Sequence, residues 1–173
     1  MKLNVKETVF FALLGALMYA SKVIMSFLPN IHLIGTLIVA ITVVYRKKAL
    51  YPIYTFVLVS GFTAFMSGGI LWWLPYLYVW TVLWGAVMLI PKKLPQKIKP
   101  IVYMVVCSLH GFLFGTLYAP AQALLFGLDF KGTVAWIIAG FPFDAIHGVS
   151  NFACGILICP IIAILKKVDK NAN

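Results

Sequence analysis

Long apolar stretches separated by compact basic clusters run through this sequence, and they leave few folds open. The clusters are Lys2 and Lys6, then Arg46-Lys47-Lys48, then Lys92, Lys93, Lys97 and Lys99, and finally Lys166, Lys167 and Lys170; the other connections carry only Lys131. A helix needs about 20 apolar residues to cross a bilayer, and basic residues on every second connection follow the positive-inside rule. A chain that is 63% hydrophobic and 10% charged has too little polar surface to cover a soluble domain. The expectation is an all-α integral membrane bundle, a single domain of six transmembrane helices with both termini cytoplasmic, multi-pass in a bacterial cell membrane. Spans are expected near residues 8–28, 31–45, 51–66, 70–90, 101–125 and 143–165. Glu7 in the charged N-terminal region, and an apolar run that continues to Leu28, make the first stretch a retained span rather than a signal peptide.

The net charge of +10 would suit nucleic acid, but its placement between apolar stretches, without an arginine–aromatic pattern, argues against that partner. The basic loop from Pro91 to Pro100 instead lies against anionic lipid headgroups, the default, or an acidic partner surface. Cys107, Cys154 and Cys159 form no C-x-x-C and read as small packing residues.

The most informative stretch is Phe141-Pro142-Phe143-Asp144-Ala145-Ile146-His147-Gly148-Val149-Ser150-Asn151. Asp144, His147 and Asn151 are spaced i, i+3, i+7 and share one helix face. An ionisable group inside a span costs roughly 2.5–3.5 kcal/mol on insertion scales, so it faces a cavity or a partner; this face is expected to line a small-molecule pocket. Thr133 to Leu165 is too long for one upright span, and Gly140 with Pro142 is expected to break it, Pro142 starting the last helix.

Span 4 carries an aromatic ridge, Trp72, Tyr76, Trp80 and Trp84, flanked by Trp73 and Tyr78. An interfacial belt accounts for Trp72 and Trp73; the deeper part of the ridge reads either as such packing or as a stacking wall for a ligand. Lys22 either snorkels outward along its stem or meets an anion or Asp144. Gly111 and Gly115 form G-x-x-x-G, read as a contact within the chain, and His110 as a structural hydrogen bond. Placing each polar residue by depth gathers Asp144, His147, Asn151, Trp72, Trp73, Tyr76, Gln122, Lys22, Asn30 and His32 in the outer half, with Trp80 deeper, and leaves the inner half apolar. That asymmetry suits a pocket open outward and closed below rather than a channel.

Enzyme signatures are missing: there is no H-E-x-x-H, no P-loop and no carboxylate pair. Gly148-Val149-Ser150-Asn151 lacks the last glycine of a rhomboid-type G-x-S-G, and Ser150 points about 100° away from Asn151. Asp144, His147 and His32 contain metal-ligating groups, but nothing fixes their spacing, so neither metal nor cofactor is expected.

Span 1 carries Ala12, Ala16 and Ala20, a small residue every fourth position, with Gly15 alongside. Such a stripe lets another helix approach closely, from a partner or from this chain's own bundle. With the size, the six spans, the basic loops and the polar start of span 6, the chain resembles the substrate-capture (S) subunits of energy-coupling factor (ECF) transporters. That resemblance implies that Ala12, Ala16 and Ala20 dock onto a transmembrane scaffold subunit coupled to two cytoplasmic ATPases. It further implies a vitamin or precursor bound at the outer face and released after the subunit topples. The aromatic ridge favours a flat ring and Asp144 an amine, a cation or a ring N–H, a preference that vanishes if Lys22 neutralises it; a nitrogen-containing heteroaromatic micronutrient is the expected ligand. The alternative is a non-transporting membrane scaffold of the MreD cell-shape type, similar in length and span count.

Overall fold

The computed structural model describes residues 3–172; Lys2 and the side chain of Lys170, both among the expected basic residues, lie outside it. The described residues are all-helical, without a strand. They contain five helical runs long and apolar enough to cross a membrane: Val5–Ile24, Ile34–Met66, Ile70–Leu89, Lys99–Phe126 and Phe130–Asp169. The runs resolve into α1 (Val5–Ile24), α2 (Ile34–Tyr45), α3 (Leu50–Met66), α4 (Ile70–Trp73), α5 (Tyr76–Leu89), α6 (Lys99–Phe112), α7 (Phe114–Phe126), α8 (Phe130–Cys154) and α9 (Ile158–Ala172).

Helix α1 starts in a capping box. The Asn4 side chain accepts from the Glu7 N–H at 2.8 Å, and the Asn4 N–H donates to Glu7 Oε2 at 3.1 Å. Its inner face is Phe11, Gly15 and Met18; a Cβ on Gly15 would stand 2.5 Å from Thr55 Cβ, so the missing side chain is what lets α1 lie against α3. Ala12, Ala16 and Ala20 all face outward and are exposed. The small residue that serves the chain's own bundle is therefore Gly15, and the alanine stripe stays uncovered.

Helix α2 is the hub. Ile34, Gly35, Thr36, Ile38, Val39, Ala40, Ile41 and Thr42 are all buried, which a helix achieves only when neighbours surround it; α5, α6 and α9 pack around it. Its run doubles back at Arg46, a non-glycine residue at φ 53. That bend is held from both sides. Trp84 Nε1 donates to the Arg46 carbonyl at 3.0 Å, and Arg46 Nη2 donates to the carbonyl of Met88 at 2.9 Å, one of the carbonyls left open at the end of α5. The expected spans 31–45 and 51–66 thus occupy one apolar run, as two helices joined by a 3-10 turn over Arg46–Ala49.

Members of every basic cluster meet at one end of the bundle. Lys48 pairs with Glu7, and a hollow of about 480 Å³ opens between Arg46, Lys92, Lys99 and Lys166. Lys22 and His32 lie at the opposite end, where α2 begins and α3 finishes.

Three expected boundaries change. Leu74-Pro75 separates α4 from α5, so the aromatic ridge is not one straight helix. Leu113 separates α6 from α7 inside the expected span 101–125. Conversely, Gly140-Pro142 does not break the last stretch: α8 runs unbroken from Phe130 to Cys154, and the interruption comes at the 3-10 turn Gly155–Leu157. Proline's fixed φ is compatible with a helix and removes one donor, and Pro142 sits on the exposed face of α8.

Candidate ligand-binding site

Asp144, His147 and Asn151 do share a buried face of α8, at 7%, 3% and 0% exposure. Their tasks differ, and the reason lies on the facing helix pair. Gly111 and Gly115 open a notch against α8. A Cβ on Gly111 would stand 2.8 Å from both Asn151 Nδ2 and Gly148 Cα, and one on Gly115 would collide with Asp144 Oδ2. The G-x-x-x-G is therefore an intrachain contact. Because α6 stops at Leu113, the Gly115 N–H in the first turn of α7 has no helical partner. Asp144 supplies it, with Oδ1 and Oδ2 accepting at 2.9 and 3.0 Å. Asn151 Nδ2 donates to the Cys107 carbonyl at 3.2 Å, and Ser108 Oγ donates to the Gly148 carbonyl at 2.9 Å.

Asp144 and Asn151 accordingly hold helices together and line neither cavity at this end of the bundle. Helices in lipid gain little from hiding apolar surface, so interhelical hydrogen bonds and close backbone approach take over. That is the use made of two of the three polar residues in the motif.

The third faces a cavity. His147, with Lys22, Asn30, His32, Tyr76 and Phe114, lines a hollow of about 290 Å³. A second, of about 300 Å³, shares Lys22 and Tyr76 and adds Ser60, Trp72, Trp73 and Tyr118. Lys22 neither snorkels away nor reaches Asp144. Its ammonium donates to the Tyr76 hydroxyl at 3.2 Å and lies 4.8 Å from the ring centroid. The loop bearing Asn30 and His32 turns through Asn30 at φ 61, a conformation asparagine tolerates. Ser150 on α8 donates to the Asn30 carbonyl at 3.1 Å and pins that turn.

Inside the first cavity the His32 and His147 rings meet edge to face, 4.7 Å between centroids. His32 Nδ1 and His147 Nε2 are buried, and neither has a hydrogen-bond partner among the described residues. Burial first, then the nearby Lys22 charge, pull the His32 pKa from its ordinary value down to about 4, so His32 is neutral at pH 7.

The remaining candidates are spread. Trp72 is exposed; its carbonyl accepts from Tyr118 at 2.8 Å. Trp73 donates to the Val57 carbonyl at 2.7 Å, its indole occupying the space a Gly61 side chain would fill. Trp80 is 1% exposed, enclosed by Phe56, Tyr76, His110 and Phe114; it lies beneath the cavities rather than in their walls. Gln122 is likewise buried and lines neither. His110 Nε2 lies 3.0 Å from the Val79 carbonyl, a structural contact. Phe114, Tyr118 and Ser60 were not anticipated as lining residues. Tyr118 stands in the second half of the expected span 101–125, the one available signal, while Phe114 is one of 13 phenylalanines with nothing to distinguish it.

No protein-family model, curated protein or solved structure matches the chain.

Proposed function

We propose that this protein is a substrate-capture subunit of an ECF-type importer, with six membrane passes and the basic end in the cytoplasm. It binds a small micronutrient in the Lys22–His32–His147 cavity and hands it on by docking against a transmembrane scaffold subunit driven by two ATPases. The observation that carries this reading is the cavity itself. Polar side chains with unmet hydrogen-bonding capacity surround a hollow at the end opposite the basic clusters, above a layer of large buried side chains. The uncovered Ala12, Ala16 and Ala20 face supplies a surface where another helix can approach closely.

A scaffold of the MreD type is the second reading. Asp144 and Asn151 do not count against it, because both serve helix packing; the unpartnered histidine nitrogens of side chains lining the first cavity favour capture, since a protein working by contact alone needs none. Copurification from native membranes separates the two. A transmembrane subunit with two ATPases supports capture, and cell-wall machinery supports the scaffold.

A further inference from the structure

We propose that the Lys22–His32–His147 cavity takes the anionic end of its ligand, a carboxylate or comparable oxyanion on a small aromatic molecule; this rests on the cavity being the capture site. Three observations carry it. First, Lys22 is the only formally charged side chain in the lining of either cavity. Second, all four acidic residues are elsewhere: Glu7 with Lys48, Asp129 capping α8 at the Gly132 N–H, Asp144 on Gly115, and Asp169 at the basic end. Among the described residues no ion pair forms at Lys22, whose ammonium has only the Tyr76 hydroxyl and ring.

Third, the buried ring nitrogens His147 Nε2 and His32 Nδ1 both belong to side chains lining the first cavity and both lack a partner. An unpartnered buried polar atom is uncommon and unfavourable. Both rings line the cavity but these nitrogens are themselves covered, so an oxyanion held by Lys22 gains the imidazole donors when either ring turns toward it in the tautomer that carries hydrogen there. A cationic ligand would face Lys22 with no carboxylate to balance it. The amine preference expected from Asp144 therefore reverses, because that carboxylate is turned to Gly115. Tyr76, Phe114 and Tyr118, whose rings contact one another, offer faces for a flat ring. A volume of about 290 Å³ sits at the lower bound of ordinary ligand pockets, which suits a small molecule.

The test is binding of matched acid, amide and amine probes to the detergent-solubilised full chain, read by tryptophan fluorescence and thermal shift. The sets are benzoate, benzamide and benzylamine; nicotinate and nicotinamide; and indoleacetate, indoleacetamide and tryptamine. Acids are expected to bind about tenfold or more tighter than their amides, as a charge-assisted hydrogen bond implies, and amines weakest. In Lys22→Gln the acid advantage disappears, while Lys22→Arg keeps it. Amides or amines binding as well as acids to the native chain overturns the anion assignment and leaves the capture reading standing. Silence from every probe overturns both.

Discussion

The Asp144–Gly115 contact supplies the sharpest test, because a ligand residue and a helix-cap residue fail differently. Both Asp144 oxygens lie within 3.0 Å of one buried N–H at the start of α7. A hydrogen bond to a charged group contributes about 1.5–3 kcal/mol, and losing it leaves the Gly115 N–H unsatisfied. Asp144→Ala is therefore expected to destabilise the protein by about 2–3 kcal/mol. Asp144→Asn keeps one acceptor oxygen and should lose only about 1 kcal/mol. Gly115→Ala overpacks the same spot, since its Cβ collides with Asp144 Oδ2, and overpacking costs about 1–3 kcal/mol. The two positions share one contact, so the double variant Gly115→Ala/Asp144→Ala should be less damaged than the sum by about 1–2 kcal/mol, the carboxylate having vacated the space the new methyl needs. The assay is reversible unfolding in mixed dodecylmaltoside–SDS micelles, followed by tryptophan fluorescence. An Asp144→Ala midpoint equal to that of the native chain, or a cycle additive to within about 0.5 kcal/mol, refutes the cap. So does loss of ligand binding without loss of stability, which would return Asp144 to the cavity.

Other outcomes are as definite. Ala16→Trp, on the exposed face of α1, should change stability by no more than about 0.5 kcal/mol and leave ligand fluorescence intact, yet abolish pull-down of the scaffold subunit; retained pull-down would remove α1 from the docking face. Gly15→Ala, one position away on the inner face, should instead cost about 1–3 kcal/mol through the 2.5 Å approach to Thr55, as measured by the same unfolding assay. The His32 pKa of about 4 sets a pH dependence. The unfolded chain takes up a proton near pH 6.5 and the folded one only near 4, so stability is complete above 6.5 and declines as pH falls between those values, by up to about 3 kcal/mol. His32→Gln should flatten that part of the curve. A variant as acid-sensitive as the native chain would mean that His32 is not buried neutral.

How much of this was legible beforehand depended on whether one residue's identity determined the outcome. The apolar runs, the basic end and the intrachain role of Gly111 and Gly115 follow from residue type and spacing. The 3-10 turn over Arg46–Ala49 falls between the expected spans 31–45 and 51–66, where the basic cluster interrupts the apolar sequence. What could not be read was which polar groups would be claimed by neighbours. Asp144 and His147 lie three residues apart on the same face, and only the break at Leu113, created by tertiary packing, decides that Asp144 finds a backbone donor while His147 Nε2 finds none. Pro142 misled for a related reason. A proline's ring meets the carbonyl four residues back in its own helix whichever way it faces, and apolar spanning helices tolerate this where neighbours and local adjustments re-satisfy the freed backbone groups, which is a property of the bundle rather than of the dipeptide. For Lys22, the stem length allowed both directions, and the partner that chose between them, Tyr76, lies 54 residues away.

The same packing bears on how a captured molecule would leave. Below the cavities Trp80 is locked among Phe56, Tyr76, His110 and Phe114, at centroid separations of 5.4–6.0 Å. Ile38, Val39, Val57 and Leu83 are all 0% exposed. Opening a void in this layer as large as the first cavity, about 290 Å³, would cost about 7 kcal/mol at ~24 cal/mol per Å³. That is comparable with the whole stability of an ordinary domain, about 5–15 kcal/mol. A capture subunit built this way therefore does not pass cargo through its own centre. On the proposed capture reading, delivery would come from moving the intact bundle, with a partner held against the uncovered face of α1 as the lever.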